Sequence, residues 1–285
     1  MKEFTFLILG GDNRSLYLGE YLENQGFKVC YYAFNHTECY NSLEEAMSAS
    51  DIIILPLPFT KDRLTLNTPL FDEVVLISDI LALISSKKIV FGGQLSKSLC
   101  EELEARGCDY WDYFVLDELA VYNAVPTAEG VVQVLIEELP ITIHGMKCAV
   151  LGYGRVGKIL ANTLRSLGAD VTVFARKESA FAEIHASSME YRHFDSLVTE
   201  YNDFDAMINT VPVKVLGEPQ LSKLNSDCVL IEVASAPFGI DFQFAKERAF
   251  KVVKAGSLPG KVAPKTAGEI IGRSILPMIR RCVSC

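Results

Sequence analysis

KCAVLGYGRVGKILANTLRSLGADVTVFARK, residues 147–177, is the stretch whose reading decides the fold. Cys148-Ala149-Val150-Leu151 is a short apolar run of the kind buried in a parallel sheet. Gly152-Tyr153-Gly154-Arg155-Val156-Gly157 follows and fits G-x-G-x-x-G. Gly152 permits a tight turn, Gly154 lets backbone approach a pyrophosphate, and Gly157 lets the helix pack close to the strand. Val156, Ile159, Leu160, Thr163, Leu164 and Leu167 then share one helical face, and Gly168 stops the helix. A second apolar run ends at Ala175. Strand, glycine turn, helix and strand together predict a dinucleotide site, because the helix start presents N–H groups and a positive dipole end to phosphate. The glycine spacing alone is weak; the flanking strands and helix make it specific.

The end of the second strand selects the dinucleotide. An NAD site wants an acid there for the ribose 2′-OH. This chain has Phe174-Ala175-Arg176-Lys177, with no acid before Glu178. Two cations suit a 2′-phosphate, so the reading favours NADP over NAD. Two solvated loop cations are the plainer alternative.

At 285 residues the chain has room for two cores, and its 49% apolar and 22% charged residues are ordinary for a globular enzyme. A net charge of −9 without a basic stripe argues against nucleic acid. MKEFTFLILGGDN reads as a first strand rather than a signal peptide, and no run reads as a membrane span; the apolar stretch 74–84 comes nearest and Asp79 interrupts it. The eight cysteines (30, 39, 100, 108, 148, 228, 282 and 285) are scattered and read as reduced thiols of a cytosolic protein. Cys282 and Cys285 form one terminal C-x-x-C, poor evidence for zinc without partners. No metal site is expected.

The first half repeats the plan of the second. At an offset of 142 residues, Leu9-Gly10 falls on Leu151-Gly152, Leu18 on Leu160, Leu22 on Leu164, Gly26 on Gly168, Val29 on Val171 and Ala33 on Ala175. Where the second copy has Gly154 and Gly157, the first has Asp12 and Ser15, so it should not hold a dinucleotide. The fold class expected is α/β, with two Rossmann-like, doubly wound parallel-sheet domains joined by hinge helices around a cleft. Residues 1–122 form a substrate and catalytic domain completed by a C-terminal helix over 265–285. Residues 123–145 form a connecting helix, and 146–264 the dinucleotide domain.

Strands are predicted at 5–9, 28–33, 51–55, 74–77, 88–91 and 109–112, with helices at 15–24, 42–48 and 96–105. Ligands of such sheets sit beyond the carboxyl ends of strands. That puts Gly10, Gly11, Asp12, Asn13 and Arg14 on the rim, with the 56–58 loop and Gly92-Gly93-Gln94. Arg14 suits a carboxylate clamp, and equally a helix-start arginine facing water. In NAVPTAEG (residues 123–130), Pro126 and Thr127 suit a helix start, with Glu129 in its first turn and an apolar helix over 131–139. A substrate role for Asn123, Thr127 or Glu129 competes with simple capping. Later strands are predicted at 191–194, 206–209, 229–233 and 251–254. The loops Thr210-Val211-Pro212 and Ala234-Ser235 should line the cofactor, as should Pro259 and Gly260 in a loop over 256–266. A final helix over 267–281, kinked at Pro277, should return to the first domain.

None of the four histidines (36, 144, 185 and 193) lies in H-E-x-x-H, and no G-x-S-x-G elbow exists. No histidine follows His193, which disfavours simple 2-hydroxy-acid oxidation. Arg14, Lys261 and Lys265 fit an anionic substrate, or in part the cofactor phosphates.

LGGDNR (9–14), NAVPTAEG (123–130), LGYGRVG (151–157) and LPGKVAPKTAGEIIG (258–272) resemble the dipicolinate synthase A-chain family over the whole chain. The resemblance implies synthesis of pyridine-2,6-dicarboxylate from 4-hydroxy-tetrahydrodipicolinate by loss of water and removal of two hydrogens. Joined to the reading of Arg176 and Lys177, the expected reaction is NADP-dependent dehydrogenation of the dehydrated intermediate. The resemblance further implies action in the mother-cell cytoplasm during sporulation, with a flavoprotein B subunit. A homo-oligomer is also expected. On that reading, Arg14 and Lys265 hold the two carboxylates with help from Gly10, Gly11 and Asp12, while Lys261 bridges cofactor and substrate. Glu129 is the candidate for moving the ring proton. Two rivals stand: a dehydrogenase of another small carboxylate, and a non-catalytic dinucleotide sensor.

Overall fold

Five consecutive buried residues, Thr5–Leu9, form β1, the strand on which the first sheet is built. A computed structural model describes residues 4–35, 38–200 and 203–284; His36 and Cys285 lie outside the described residues. After β1 come α1 (Asn13–Asn24), β2 (Lys28–Tyr32), α2 (Leu43–Ala49), β3 (Ile52–Ile54), α3 (Ile77–Leu83), β4 (Ile89–Gly92), α4 (Lys97–Ala105) and β5 (Asp109–Asp112). The strands are parallel in the order β2-β1-β3-β4-β5. Helices cover both faces: Leu7, Leu9 and Ile53 pack with α2 and α4, whereas Phe6, Ile8 and Ile52 pack with α1.

A long helix, α5 (Asp117–Glu138), leads to the second sheet. Its elements are β6 (Lys147–Leu151), α6 (Arg155–Ser166), β7 (Asp170–Ala175), α7 (Glu178–Ala186), β8 (Glu190–His193), α8 (Ser196–Thr199), β9 (Ala206–Asn209), α9 (Glu218–Leu221), β10 (Val229–Glu232), α10 (Phe242–Glu247), β11 (Val252–Lys254) and α11 (Leu258–Val262). This sheet is also parallel, in the order β11-β10-β9-β6-β7-β8. Read from β6 as the first strand, that is the dinucleotide-binding order 3-2-1-4-5-6. Along β6, Cys148 and Val150 face α5 and α6, while Ala149 and Leu151 face the opposite layer with Leu221 and Leu230. The fold is thus α/β with two doubly wound sheets.

The last helix, α12 (Pro264–Ser284), belongs to the first of two compact units, Met1–Asn123 with Ala263–Cys285; the second is Ala124–Val262. It lies against α1 at two glycines. A Cβ on Gly268 would strike the carbonyl of Arg14, and one on Gly272 the ring of Tyr21. Ile270, Ile271, Ile275 and Ile279 of α12 enter the core beside Leu18 and Leu22.

Several sequence expectations differ from what is seen. Residues 74–77 form no strand: Val74 and Leu76 are exposed, and Ile77 begins α3, which buries Ile80 and is followed by a buried, extended Ile84. α5 does not start at Pro126 but runs through it from Asp117, with Asp117 and Glu118 in its first turn. Leu119, Ala124, Ala128, Val131 and Leu135 are all buried, and that burial outweighs the roughly 3 kcal/mol of an interior proline. Thr127 is therefore no cap. The 256–266 segment is mostly helical, with Pro259, Gly260 and Lys261 in α11 and Pro264 opening α12. α5 is also long and apolar enough to cross a membrane, which the sequence reading did not expect. Its buried residues are core members, as in a globular helix.

Candidate functional site

The second sheet changes winding direction between β6 and β9, which puts a crevice beyond their carboxyl ends. Gly152 leaves β6 at φ +96°, and a Cβ there would lie 2.6 Å from Val211 Cγ2 and 2.8 Å from Thr210 Oγ1. Gly157 faces the carbonyl oxygen of Gly152, so any side chain would strike backbone. Gly154 is the opposite case: nothing lies within 4 Å of the position its Cβ would take. It caps α6 in extended geometry and supplies no side-chain hydrogen bond to the helix start. The helix therefore presents its first N–H groups, beside open space, to an anion. The glycines that look alike in sequence divide into two that must be small for packing and one that leaves room.

Around that space lies a cavity of about 350 Å³ lined by Gly152, Tyr153, Gly154, the 175–177 segment, Ala180, Phe194 and the 210–212 turn. Arg176 is exposed, with its guanidinium 5.3 Å from the centroid of the Phe194 ring. Lys177, also exposed, precedes α7. The Thr210 hydroxyl donates to the carbonyl of Leu151 over 2.7 Å, joining the far wall to the glycine turn. Val156 is partly exposed and Arg155 exposed at the start of α6. Ala234 and Ser235 follow β10, and Pro259 and Gly260 sit in α11; none of these four lines the cavity. The residues present fit a dinucleotide: a glycine turn, a helix start without a side-chain cap, and two cations lining the same cavity after β7.

The rim of the first sheet is filled instead. Asp12 caps α1, its Oδ1 accepting from the Arg14 backbone N–H at 3.0 Å. The Arg14 side chain turns back onto that carboxylate, with Nε donating to Oδ1 at 2.9 Å and Nη2 to Oδ2 at 2.8 Å. Nη2 also donates to the Leu57 carbonyl at 2.5 Å. Arg14 is only 8% exposed, so it does not face water as a helix-start arginine would. Gly10 and Gly11 take positive φ, packed against Thr68 and Leu66, and against Ser15 and Pro56. Gly93 is close to Leu57 and Tyr113.

On α5, Asn123 is half-buried, Thr127 buried and Glu129 exposed. Lys261 and Lys265 are exposed and make no ion pair among the described residues. Sequence reading missed Asn209 and Glu232, which are 0% and 1% exposed. The signal was available: AMIN (206–209) and VLIE (229–232) are buried strands that each end in a polar residue, and such groups must be paired.

Residues 129–238 match the family model of the D-isomer specific 2-hydroxyacid dehydrogenase NAD binding domain. Residues 5–114 match the model of the N-terminal domain of the dipicolinate synthase A chain. Over 281 residues the chain is 34% identical to the dipicolinate synthase A chain of Bacillus subtilis (strain 168), covering 95% of this chain and 94% of that protein. The chain belongs to the dipicolinate synthase A-chain family. The crystal structure of the dipicolinate synthase A chain from Bacillus halodurans has a TM-score of 0.90 at 30% identity, covering 97% of this chain and 98% of that one. The crystal structure of the Bacillus subtilis A chain has a TM-score of 0.88 at 30% identity, covering 100% and 98%. A transhydrogenase from Sinorhizobium meliloti, at 13% identity and a TM-score of 0.72 over 98% and 94%, shares the fold alone. Membership in the dipicolinate synthase A-chain family and the NAD-binding domain make the chain an NAD(P)-dependent oxidoreductase.

Proposed function

We propose that this chain dehydrogenates the dehydrated form of 4-hydroxy-tetrahydrodipicolinate to pyridine-2,6-dicarboxylate, with NADP in the crevice beside Gly154. The observation that carries the reading is that crevice at the sheet's switch point, in a chain 34% identical to a dipicolinate synthase A chain. When bound, the nicotinamide accepts a hydride; the ring loses a proton as well, and aromatisation drives the step.

The chain's own residues have separable tasks. Gly152, Gly154 and the start of α6 receive the pyrophosphate. Arg176 and Lys177 favour a 2′-phosphate over a bare hydroxyl, which supports NADP. Lys265 and Lys261 are cations for the substrate's carboxylates. Arg14 retains Nη1, which has no hydrogen bond among the described residues, while Asp12 orients the guanidinium. Glu129 is proposed to take the ring proton. The cytoplasm of a sporulating mother cell and a flavoprotein B subunit complete the reading.

The test is absorbance at the reduced-nicotinamide band, using purified chain, freshly made intermediate, and NADP+ or NAD+, with and without the flavoprotein. Faster absorbance growth with NADP+ than with NAD+ is expected. Binding of dinucleotide without hydride transfer under any of these conditions would leave a sensing role instead.

A further inference from the structure

We propose that Asn209 and Glu232 are a positioning pair: they brace the 210–212 wall of the crevice and the 234–240 loop into one hydrogen-bonded unit. The inference rests on the reading of that crevice as a dinucleotide site.

Two strand ends meet here. Asn209 closes β9 and Glu232 closes β10, and the two are register partners in the sheet. Both side chains are buried, and every polar atom of the pair is used. Glu232 Oε1 accepts from Asn209 Nδ2 at 2.7 Å and from the Ala234 N–H at 3.1 Å. Its Oε2 accepts from the Gly239 and Ile240 N–H groups at 2.8 and 3.0 Å. Asn209 in turn shapes the wall, since Nδ2 donates to the Val211 carbonyl at 2.9 Å and Oδ1 accepts from the Val211 N–H at 3.1 Å. Gly239 is part of the device, because a Cβ there would strike the Asn209 amide. The wall is fastened on its other side to β6, where Leu151 O accepts from the Thr210 N–H and hydroxyl.

The donor set dictates the residue type. Four donors converge on two oxygens, and only an acceptor-only group satisfies them all. A glutamine would turn its NH2 toward two donors and leave them unpaired in a buried site. A loop braced by water or by surface contacts would not need a buried carboxylate. The pair thus ties the turn that faces the cofactor to the loop after the neighbouring strand.

Two variants test the pair. Glu232→Gln keeps the volume, and Asn209→Ala leaves Glu232 three backbone donors, so the second holds the fold if the first does not. Calorimetry with NADP+ and NAD+ reads binding, and amide exchange across the second sheet, with thermal unfolding alongside, separates positioning from general damage. The expected result is a dinucleotide Kd raised about tenfold, equivalent to 1.4 kcal/mol, with exchange along β7 unchanged. Dinucleotide binding at the wild-type level, or exchange that quickens equally along β7 and the 209–240 segment, overturns the proposal. Should the unmodified chain bind neither dinucleotide, the proposed function fails, and amide exchange then decides the brace. Glu232→Gln touches no atom of Val211. Faster exchange at Val211 in that variant supports the coupling, and unchanged exchange ends it.

Discussion

The strand–turn–helix–strand units that open the two sheets are the same object with different contents. β1 and β6, α1 and α6, and β2 and β7 each begin 142 residues apart. Gly26 and Gly168 end the two helices at φ +85° and +87°. Even the cap residues share a backbone: φ −94°, ψ −170° at Asp12 and φ −86°, ψ −161° at Gly154. In the first unit a carboxylate sits at the helix start and Arg14 closes over it; in the second the same place is open. A helix N-terminus attracts negative charge wherever it occurs. The first half meets that demand from its own chain, and the second leaves it to a ligand.

Substitutions that exchange the two contents test this, beginning with the largest effect. Gly157→Ala puts a methyl group into the Gly152 carbonyl, and should destabilise the second unit by about 3 kcal/mol and abolish dinucleotide binding. Thermal unfolding and calorimetry read both. Gly154→Asp gives the second unit the cap of the first. Dinucleotide affinity should fall about 100-fold, roughly 2.7 kcal/mol, while the melting temperature holds or rises; a variant that still binds would disprove the role of the open helix start. Asp12→Ala removes a cap and the partner of a buried arginine, and should lower stability by about 2 kcal/mol without creating a nucleotide site. Chemical denaturation measures it. Arg176→Ala with Lys177→Ala should weaken NADP+ about tenfold, or 1.4 kcal/mol, and leave NAD+ nearly unchanged. Equal losses for both would remove these cations from cofactor selection. Ser15→Gly, which copies Gly157 into the first half, should cost about 1 kcal/mol at most, seen as a small drop in melting temperature.

The resemblance between the halves stops after the second strand. In the first sheet β1 pairs next with β3, the following strand; in the second β6 pairs with β9, after β8 has been added on the far side. Two sheets of different order therefore grow from one repeated unit. The repeat visible in sequence covers the unit and does not extend to the winding that follows it.

What the sequence determined alone was local and periodic. Glycines at 152, 154 and 157, between apolar strands and before an amphipathic helix, suffice for the turn, because backbone sterics leave few alternatives there. The tertiary structure decided whatever depends on distant partners. Pro126 lies inside α5 because the residues on both sides of it are buried, a balance that no local propensity contains. Arg14 is folded onto Asp12 and Leu57, and Asn209 is joined to Glu232 across 23 residues. Hydrogen bonds between groups far apart in the chain form only when a sheet brings the strand ends together, and sequence spacing carries no record of that distance.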